Sequence, residues 1–374
     1  MEYLTENRPV PKELAETIRR TPALQPYFKN SFAGVVPDNY CGFLQLEGKS
    51  YFIVPKIADE ATDNLDIFIT MLLYAQGVDL RNEDLFEAQN QKHDILELFI
   101  RLFATGLFEE LKRGVFRSYV TKREDLKVLR GKYLFEKNFR HFHHQNLHCE
   151  YDEFSMDNPL NRFFLYAIDI FRRFSHDATL RRCEAIFDEV TRQRIDHRRH
   201  AVRFDRLNRR FEKSYTIAKM ILDRLVPLPS TKEERSFAFL FDMGEVFEAF
   251  VGRLVQEIDS TARLQVQRNF GNLQLKPDIL TDRLIIDTKY KSIANRDDLA
   301  TQDKYQMFAY GINFGIKDVM LLYPKHRVDV REDLVLGEGE NVVRLRMRSL
   351  ELGYASNEFM KNIKNNLKDM LDEK

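Results

Sequence analysis

Apolar positions along the chain change their period several times, and each change marks an element. In "FAGVVPDNYCGFLQLEGKSYFIVPKI", Leu44 and Leu46 fall on one face while Phe43, Gln45 and Glu47 fall on the other. "YFIVP" then follows a Gly-Lys-Ser turn, so this segment predicts short strands. "NLDIFITMLLYAQ" and "NEDLFEAQNQKHDILELFIRLFATGLFEELKR" carry a helical period. They predict two amphipathic helices, the second capped by Asn82 and ending near Gly114. Strand-like patterning returns in "GVFRSYVTKREDLKVLRGKYLF", and from Asn158 to about Leu225 the pattern is helical again, rich in Phe and Arg.

The clearest seam is "LVPLPSTKEERS", residues 225 to 236, where Pro227 and Pro229 stop a helix. Beyond it, residues 236 to 258 predict a helix with Met243, Phe247, Phe250, Val251, Leu254 and Ile258 along one stripe. "ARLQVQRNF", "LQLKPDILT" and "RLIIDTKYK" predict three strands joined by "GN" and "TD" turns. A helix over "ATQDKYQMFAYGI", strands at "DVMLLYP" and "NVVRLRMRSL", and a terminal helix from about Ser356 complete the series. Three regions are expected: a mixed β/α region over 1–80, a mainly helical region with a β insertion over 81–225, and a third over 226–374. The chain has neither an internal repeat nor a low-complexity tract.

Composition narrows the class. With 374 residues, 44% hydrophobic and 31% charged, the chain can bury a substantial core and fill more than one domain. No run reaches the roughly 18 apolar residues of a membrane span. "MEYLTENRPVPKELAE" has no secretory pattern, and three scattered cysteines form no disulfide framework. A cytoplasmic protein is expected. Net charge is zero, from 58 basic and 58 acidic residues, so any nucleic-acid surface must come from local gathering. The densest gathering is "TRQRIDHRRHAVRFDRLNRRFEK", residues 191 to 213. It reads either as the solvated face of a long helix or as a phosphate-contacting surface in which Arg198, Arg199, Arg209 and Arg210 are the candidates.

The candidate chemistry lies in "LQLKPDILTDRLIIDTKYK". On a strand, Asp287 and Lys289 share one face while Leu284 and Ile286 take the other. Pairing across the short turn brings Asp278 to the same end as Asp287. Converging carboxylates raise one another's pKa unless a cation sits between them, and Mg²⁺ is the natural hard cation for such a pair. A lysine beside it can orient or deprotonate a water and balance charge on a phosphate. The helix before the strands offers Glu245 and Glu248; at 100° per residue Glu248 lies at the margin of the apolar stripe and Glu245 nearly opposite, so Glu248 is the expected third acid.

Residues 236 to 324 resemble the PD-(D/E)xK nuclease superfamily, with "PD" at 277–278 and "DTK" at 287–289. Gln306 and Tyr310 resemble the Gln-x-x-x-Tyr element of related nucleases, and their i, i+4 spacing places them on one helical face. "AGVVPDNYCGFLQLEGKSYFIVPKI", "EYDEFSMDNPLNRFFLYAI" and "FLFDMGEVFEAFV" together resemble the McrC family, the nuclease subunits of McrBC-type modification-dependent restriction systems. The resemblance implies an α+β multidomain chain ending in a restriction-endonuclease-like domain. Asp278, Asp287 and Glu248 would hold Mg²⁺, or Mn²⁺ in its place, with Lys289 catalytic and Gln306 and Tyr310 supporting. It also implies modified double-stranded DNA as substrate and a McrB-like AAA+ GTPase ring as partner. The N-terminal part would dock on that ring and stimulate it.

Nothing in the sequence suggests nucleotide binding by this chain alone: Gly48-Lys49-Ser50 lacks the earlier glycine of a phosphate-binding loop. "HFHHQNLHCE", residues 141 to 150, has no companion cluster at zinc-ligand spacing and reads as a polar surface segment. A nuclease acting alone and a non-catalytic activator of the motor are the alternative functions. The intact Asp278, Asp287 and Lys289 argue against the activator, and the long region before residue 226 argues against a lone nuclease.

Overall fold

The computed structural model describes residues 2–57, 61–77, 95–140, 146–229, 236–293, 295–326, 328–352 and 359–373. The chain divides into two compact units: residues 1–95 with 224–374, and residues 96–223. The N-terminal region and the region after the seam, expected as separate domains, therefore belong to one unit.

The reason is a shared sheet. Strands β1 (Glu2–Thr5), β2 (Tyr40–Leu46), β3 (Lys49–Val54), β4 (Leu225–Leu228) and β5 (Ser236–Asp242) align in the order β1-β3-β2-β5-β4. The β2–β3 hairpin turns at Glu47 and Gly48, both at positive φ (49° and 83°), the geometry that suits tight hairpins. Six pairs, from Phe237↔Gln45 to Asp242↔Tyr40, join β5 to β2. The stretch "SFAFLFD", expected to open a helix, is a strand in the structure. Phe237, Ala238, Phe239, Leu240 and Phe241 are all buried. A strand covered on both faces shows no alternation, so the period of its apolar residues does not separate it from a buried helix.

The helix begins only after Asp242, whose carboxylate accepts hydrogen bonds from the backbone of Gly244 (2.7 Å) and Glu245 (3.4 Å). This helix, α1 (Met243–Ile258), buries Met243, Phe247, Phe250, Val251 and Leu254. A second sheet follows, built from β6 (Arg263–Leu264), β7 (Ile279–Leu280), β8 (Ile285–Thr288), β9 (Asp318–Pro324), β10 (Arg331–Leu336) and β11 (Val343–Leu350). Its order is β6-β7-β8-β9-β11-β10, with β8, β9 and β11 mutually parallel. Helix α2 (Thr301–Phe314) supplies the crossover that parallel β8 and β9 require. Met307 and Tyr310 of α2 pack on Ile285, Val319, Leu321 and Tyr323.

Two of the expected long strands are broken. Gln265 takes a positive φ of 53°, and Arg268–Phe270 pairs with Leu273–Leu275 in a separate ribbon around Gly271. Only two residues of "LQLKPDILT" after the proline join the main sheet.

The second unit has an aromatic core. Phe103, Phe163, Phe164, Phe171, Phe187 and Phe211 are fully buried among helices Ile95–Lys112, Pro159–Phe171, Ala178–Ile186 and Glu212–Arg224. Strands Ser118–Leu126, Lys132–Tyr133 and Leu147–Ser155 make an antiparallel sheet. The "DNPLNRF" segment has a structural task here. Asn158 caps the helix from Asn161 N (3.1 Å), and the side-chain amides of Asn158 and Asn161 both donate to Phe116 O, at 3.1 and 2.8 Å. Asp157 grips Arg162 through two bonds of 2.6 and 2.7 Å, and that guanidinium holds its carboxyl well below the usual range. The continuous helix expected across residues 191–208 is not formed; the segment is irregular, and helix resumes with the turn at Arg209–Phe211. No helix among the described residues is long and apolar enough to cross a membrane.

Candidate active site

Antiparallel register decides the centre of the site. Ile279 pairs with Ile286 and Leu280 with Ile285, so the next step of the ladder sets Asp278 beside Asp287. The turn is closed by Thr281, whose backbone N–H donates to Leu284 O at 3.0 Å and whose hydroxyl donates to the same oxygen at 3.0 Å. On the far side of β8, the parallel partner β9 pairs Asp287 with Leu321 and receives the Lys289 N–H on Leu322 O at 2.9 Å. The backbone around Asp287 is therefore held from both edges.

The side chains form one connected set. Asp278 Oδ2 accepts from the Thr288 backbone N–H (2.7 Å) and hydroxyl (2.8 Å). Lys289 Nζ lies 2.6 Å from Asp287 Oδ2 and donates to Gln306 Oε1 at 3.1 Å. The Gln306 amide in turn donates to Asp287 Oδ1 (3.3 Å) and to the Tyr310 hydroxyl (2.8 Å). The Tyr310 hydroxyl donates to Lys276 O at 3.0 Å. Gln306 thus bridges acid, lysine and tyrosine. Asp303, one turn before Gln306, stands 3.9 Å from Lys289 Nζ and pairs with Lys291.

Glu248 reaches the same neighbourhood from α1. Burial, then the charges of Asp278 and Asp287, push its carboxyl up to about 7. Its Oε1 accepts from the Gln265 side chain. Glu245, three residues earlier, is exposed and pairs with Arg224. Asp287 is 2% exposed, and burial together with Asp278 pushes it up to about 6 despite Lys289. Burial pulls the lysine down, but Asp287, Asp303 and Asp278 outweigh it and hold the ammonium above its ordinary value. Lys289 is therefore a cation at neutral pH. Tyr310, pushed up to about 12 mainly by burial, is a neutral donor.

Three carboxylates with no softer ligand make a hard, oxygen-only donor set of the kind Mg²⁺ prefers. Asp287 Oδ2 is buried and receives no well-aligned hydrogen bond, the 2.6 Å ion pair with Lys289 notwithstanding. Its one close neighbour is a cation, which marks this oxygen as a place for positive charge. The set is not closed, however: no group of three or more His, Cys, Asp or Glu side chains among the described residues stands tightly enough to grip an ion. Glu248 is near enough to feel both aspartates but is turned to Gln265.

A family model described as "McrBC 5-methylcytosine restriction system component" matches residues 35–324. The chain belongs to this McrBC family. A solved structure with the same overall fold is a chain of the refined half-complex from a tetradecameric assembly of Thermococcus gammatolerans McrB AAA+ hexamers with bound McrC. That chain is 19% identical, with a TM-score of 0.61, and the match covers 99% of this chain and 100% of that one. A chain from the Thermococcus gammatolerans McrBC complex is 23% identical over 69% of this chain and 88% of that one, with a TM-score of 0.48. No curated protein sequence matches.

The McrBC match takes in Glu248, Asp278, Asp287, Lys289, Gln306 and Tyr310, and the basic stretch as well. In this McrBC-family chain that stretch gathers less than its composition promised. Arg198, Arg199 and Arg209 are exposed, with Arg199 3.6 Å from Asp196 and Arg209 3.9 Å from Glu212. Arg210 is turned inward, donating to Gly114 O at 2.6 Å and lying over the Phe211 ring. Arg192 is bound by Asp169 and Glu184 and, with Tyr166, Arg173 and Arg194, lines an open cavity of about 630 Å³. His141, His143 and His144 lie outside the described residues; His148 pairs with Asp125.

Thr288, Asp303 and Gln265 were not singled out from the sequence. Asp303 had a readable signal, since positions 303, 306 and 310 recur on one helical face. The contact between Gln265 and Glu248 had none, because it depends on the positive φ that interrupts the strand.

Proposed function

We propose that this chain is the endonuclease subunit of a modification-dependent, methylcytosine-type restriction complex, hydrolysing DNA phosphodiester bonds with Mg²⁺ and stimulating a partner AAA+ GTPase ring. The observation that carries the reading is the register that sets Asp278 beside Asp287 with Lys289 Nζ 2.6 Å from the second acid. Family membership supports the restriction setting, and the McrB hexamers of the similar complex suggest the class of partner.

Asp278, Asp287 and Glu248 are the residues that would hold the ion. When bound, Mg²⁺ supplies Lewis-acid stabilisation of the phosphate and a more acidic water. Asp278 is oriented by Thr288, whose backbone N–H and hydroxyl both donate to Oδ2, so its carboxylate would be fixed for holding the ion. Lys289, held protonated, offers Nζ to a phosphate oxygen as negative charge develops there. Gln306 keeps Nζ in place through Oε1 while its amide restrains Asp287 and is itself fixed by Tyr310. Glu248, its Oε1 accepting from the Gln265 side chain, would complete the ion's set of carboxylate donors.

The test is Asp287→Ala in the complete chain, assayed on modified DNA with the partner ring, GTP and Mg²⁺. Cleavage should disappear while partner binding and GTP turnover persist. Wild-type cleavage by this variant would remove the assignment.

A further inference from the structure

Glu6 is 2% exposed, an unusual place for a carboxylate close to the start of a chain. It follows β1, and its backbone N–H donates to Val54 O at 3.0 Å, continuing the pairing with β3. Its side chain points inward and is well supplied with donors. Oε1 accepts from the Tyr290 hydroxyl at 2.7 Å and from the Lys56 backbone N–H at 2.8 Å, and Oε2 has the Cys41 thiol at 3.8 Å. Burial raises the pKa of both partners, as it does when two polar groups leave water together.

The second member matters because of its neighbours. Tyr290 directly follows Lys289, and its ring centroid is 6.3 Å from that of Phe247, which directly precedes Glu248. The ring thus stands between the strand end that carries the lysine and the helix that carries the third acid. Strand β8 ends at Thr288, and the Lys289 N–H to Leu322 O bond is the last rung on β9. Beyond it, the backbone is held by the Lys291 N–H to Lys289 O bond at 2.9 Å, by the Lys291–Asp303 ion pair, and by Tyr290, whose hydroxyl reaches across to Glu6. A buried carboxylate is costly unless fully hydrogen-bonded, and an apolar pair of the same shape would fill this space at less cost. The polar pair fixes a direction that an apolar pair would leave free.

We propose that Glu6 and Tyr290 form a positioning link through which the N-terminal sheet holds the Lys289 ammonium in line with Asp287 for cleavage. The inference rests on the reading of Asp278, Asp287 and Lys289 as the cutting site. Neither Glu6 nor Tyr290 touches the reacting atoms. Their effect passes through the main chain at residues 289–290 and through the Phe247–Glu248 edge of α1.

The test uses the complete chain with its partner ring, and compares Tyr290→Phe, Glu6→Gln, Glu6→Leu and the double variant Glu6→Leu/Tyr290→Phe. Tyr290→Phe removes one hydroxyl and should lower the cleavage kcat about tenfold, the scale of a small misplacement of a reacting group, with the KM for DNA unchanged. Stimulation of GTP hydrolysis should also be unchanged. Glu6→Gln keeps an acceptor for the Tyr290 hydroxyl and should cut near the wild-type rate. Glu6→Leu should reproduce the loss, and the double variant should lose no more than either single one. Wild-type cutting by Tyr290→Phe, while Asp287→Ala is inactive, overturns the link and leaves the site assignment standing. Additive losses in the double variant, or parallel losses of cleavage and GTPase stimulation, overturn it too, because they report general damage rather than positioning. Normal cutting by Asp287→Ala would instead overturn the site assignment itself.

Discussion

The hairpin around Asp287 and the arginine-rich stretch from 191 to 213 are both conspicuous in the sequence, yet the fold treats them in opposite ways. In the hairpin, a ladder of fixed period leaves the charges no choice: Asp278 and Asp287 must face each other once Ile279 pairs with Ile286. Across residues 191–208 of the arginine stretch no regular element imposes a direction, and helix resumes only at Arg209. Arg192 turns to Asp169 and Glu184, Arg210 turns to Gly114 O, and Arg198, Arg199 and Arg209 face solvent. A regular backbone converts sequence spacing into a site; an irregular one disperses the same density of charge.

The most demanding test of this contrast is at the hairpin. Alanine at Asp287 or Asp278 should reduce metal-dependent cleavage by roughly a thousandfold or more, at ~1.4 kcal/mol per tenfold, measured under single-turnover conditions. A tenfold loss or less would mean that convergence of the two acids is incidental. Next in size, Glu248→Gln should lower cleavage by about ten- to a hundredfold across a Mg²⁺ titration, the range of a general acid–base or ligand contribution. Glu245→Gln, which removes an exposed carboxylate paired with Arg224, should leave the rate unchanged. The reverse ranking would show that helix α1 presents the other acid.

The arginine stretch should respond more weakly. Replacing Arg198, Arg199 and Arg209 together should flatten the salt dependence of DNA association, the slope falling by about 0.9 for each phosphate no longer neutralised. An unchanged slope returns the three to a solvated surface. Arg210 belongs in a separate experiment, because its removal leaves Gly114 O without that donor and should show in thermal stability instead.

The smallest effect is electrostatic. The Glu248 carboxyl is raised, so the folded chain binds its proton more tightly than the unfolded chain does. The stability linked to that proton is complete below the ordinary glutamate range and is lost as pH rises through about 7. Without metal, Glu248→Gln should therefore melt higher than wild type at pH 8 and lose this advantage by pH 5. The difference should be on the order of 1 kcal/mol, discounted because Glu248 keeps some contact with water. In melts at both pH values, an advantage that grows as pH falls would contradict the assigned cause.

Legibility followed the same division between regular and irregular backbone. The strand at 285–288, the crossover helix and strand β9 were readable because their apolar patterns match their periods. Strand β5 was not, since five consecutive buried residues erase the alternation that distinguishes strand from helix. Its misreading concealed the pairing with β2, and with it the union of the N-terminal and post-seam regions. The Lys289–Gln306 contact was foreshadowed by the Gln-x-x-x-Tyr spacing, whereas Glu6 lies 284 residues from Tyr290 and no local pattern connects them. One practical corollary concerns truncation. A chain begun near Ser230 would leave β5 without β2, so partner engagement is better dissected by point substitutions in the whole chain than by removing the first 225 residues.

Because β5 completes a sheet begun by β2 and β3, the order of synthesis becomes part of the folding problem. About 180 residues separate Val54 from Ser236. At ribosomal rates of roughly 5–20 residues per second, the first hairpin waits about 10–40 s for its neighbouring strand. During that interval the edge of β2, a strand that carries Phe43 and Leu44, is an unpaired template for any passing strand. The second unit, residues 96–223, can finish folding in the meantime as a self-contained insertion. Slow-translating or crowded conditions should therefore penalise the first unit selectively, and a chaperone that shields a nascent β edge should raise the yield of this protein more than its final stability would suggest.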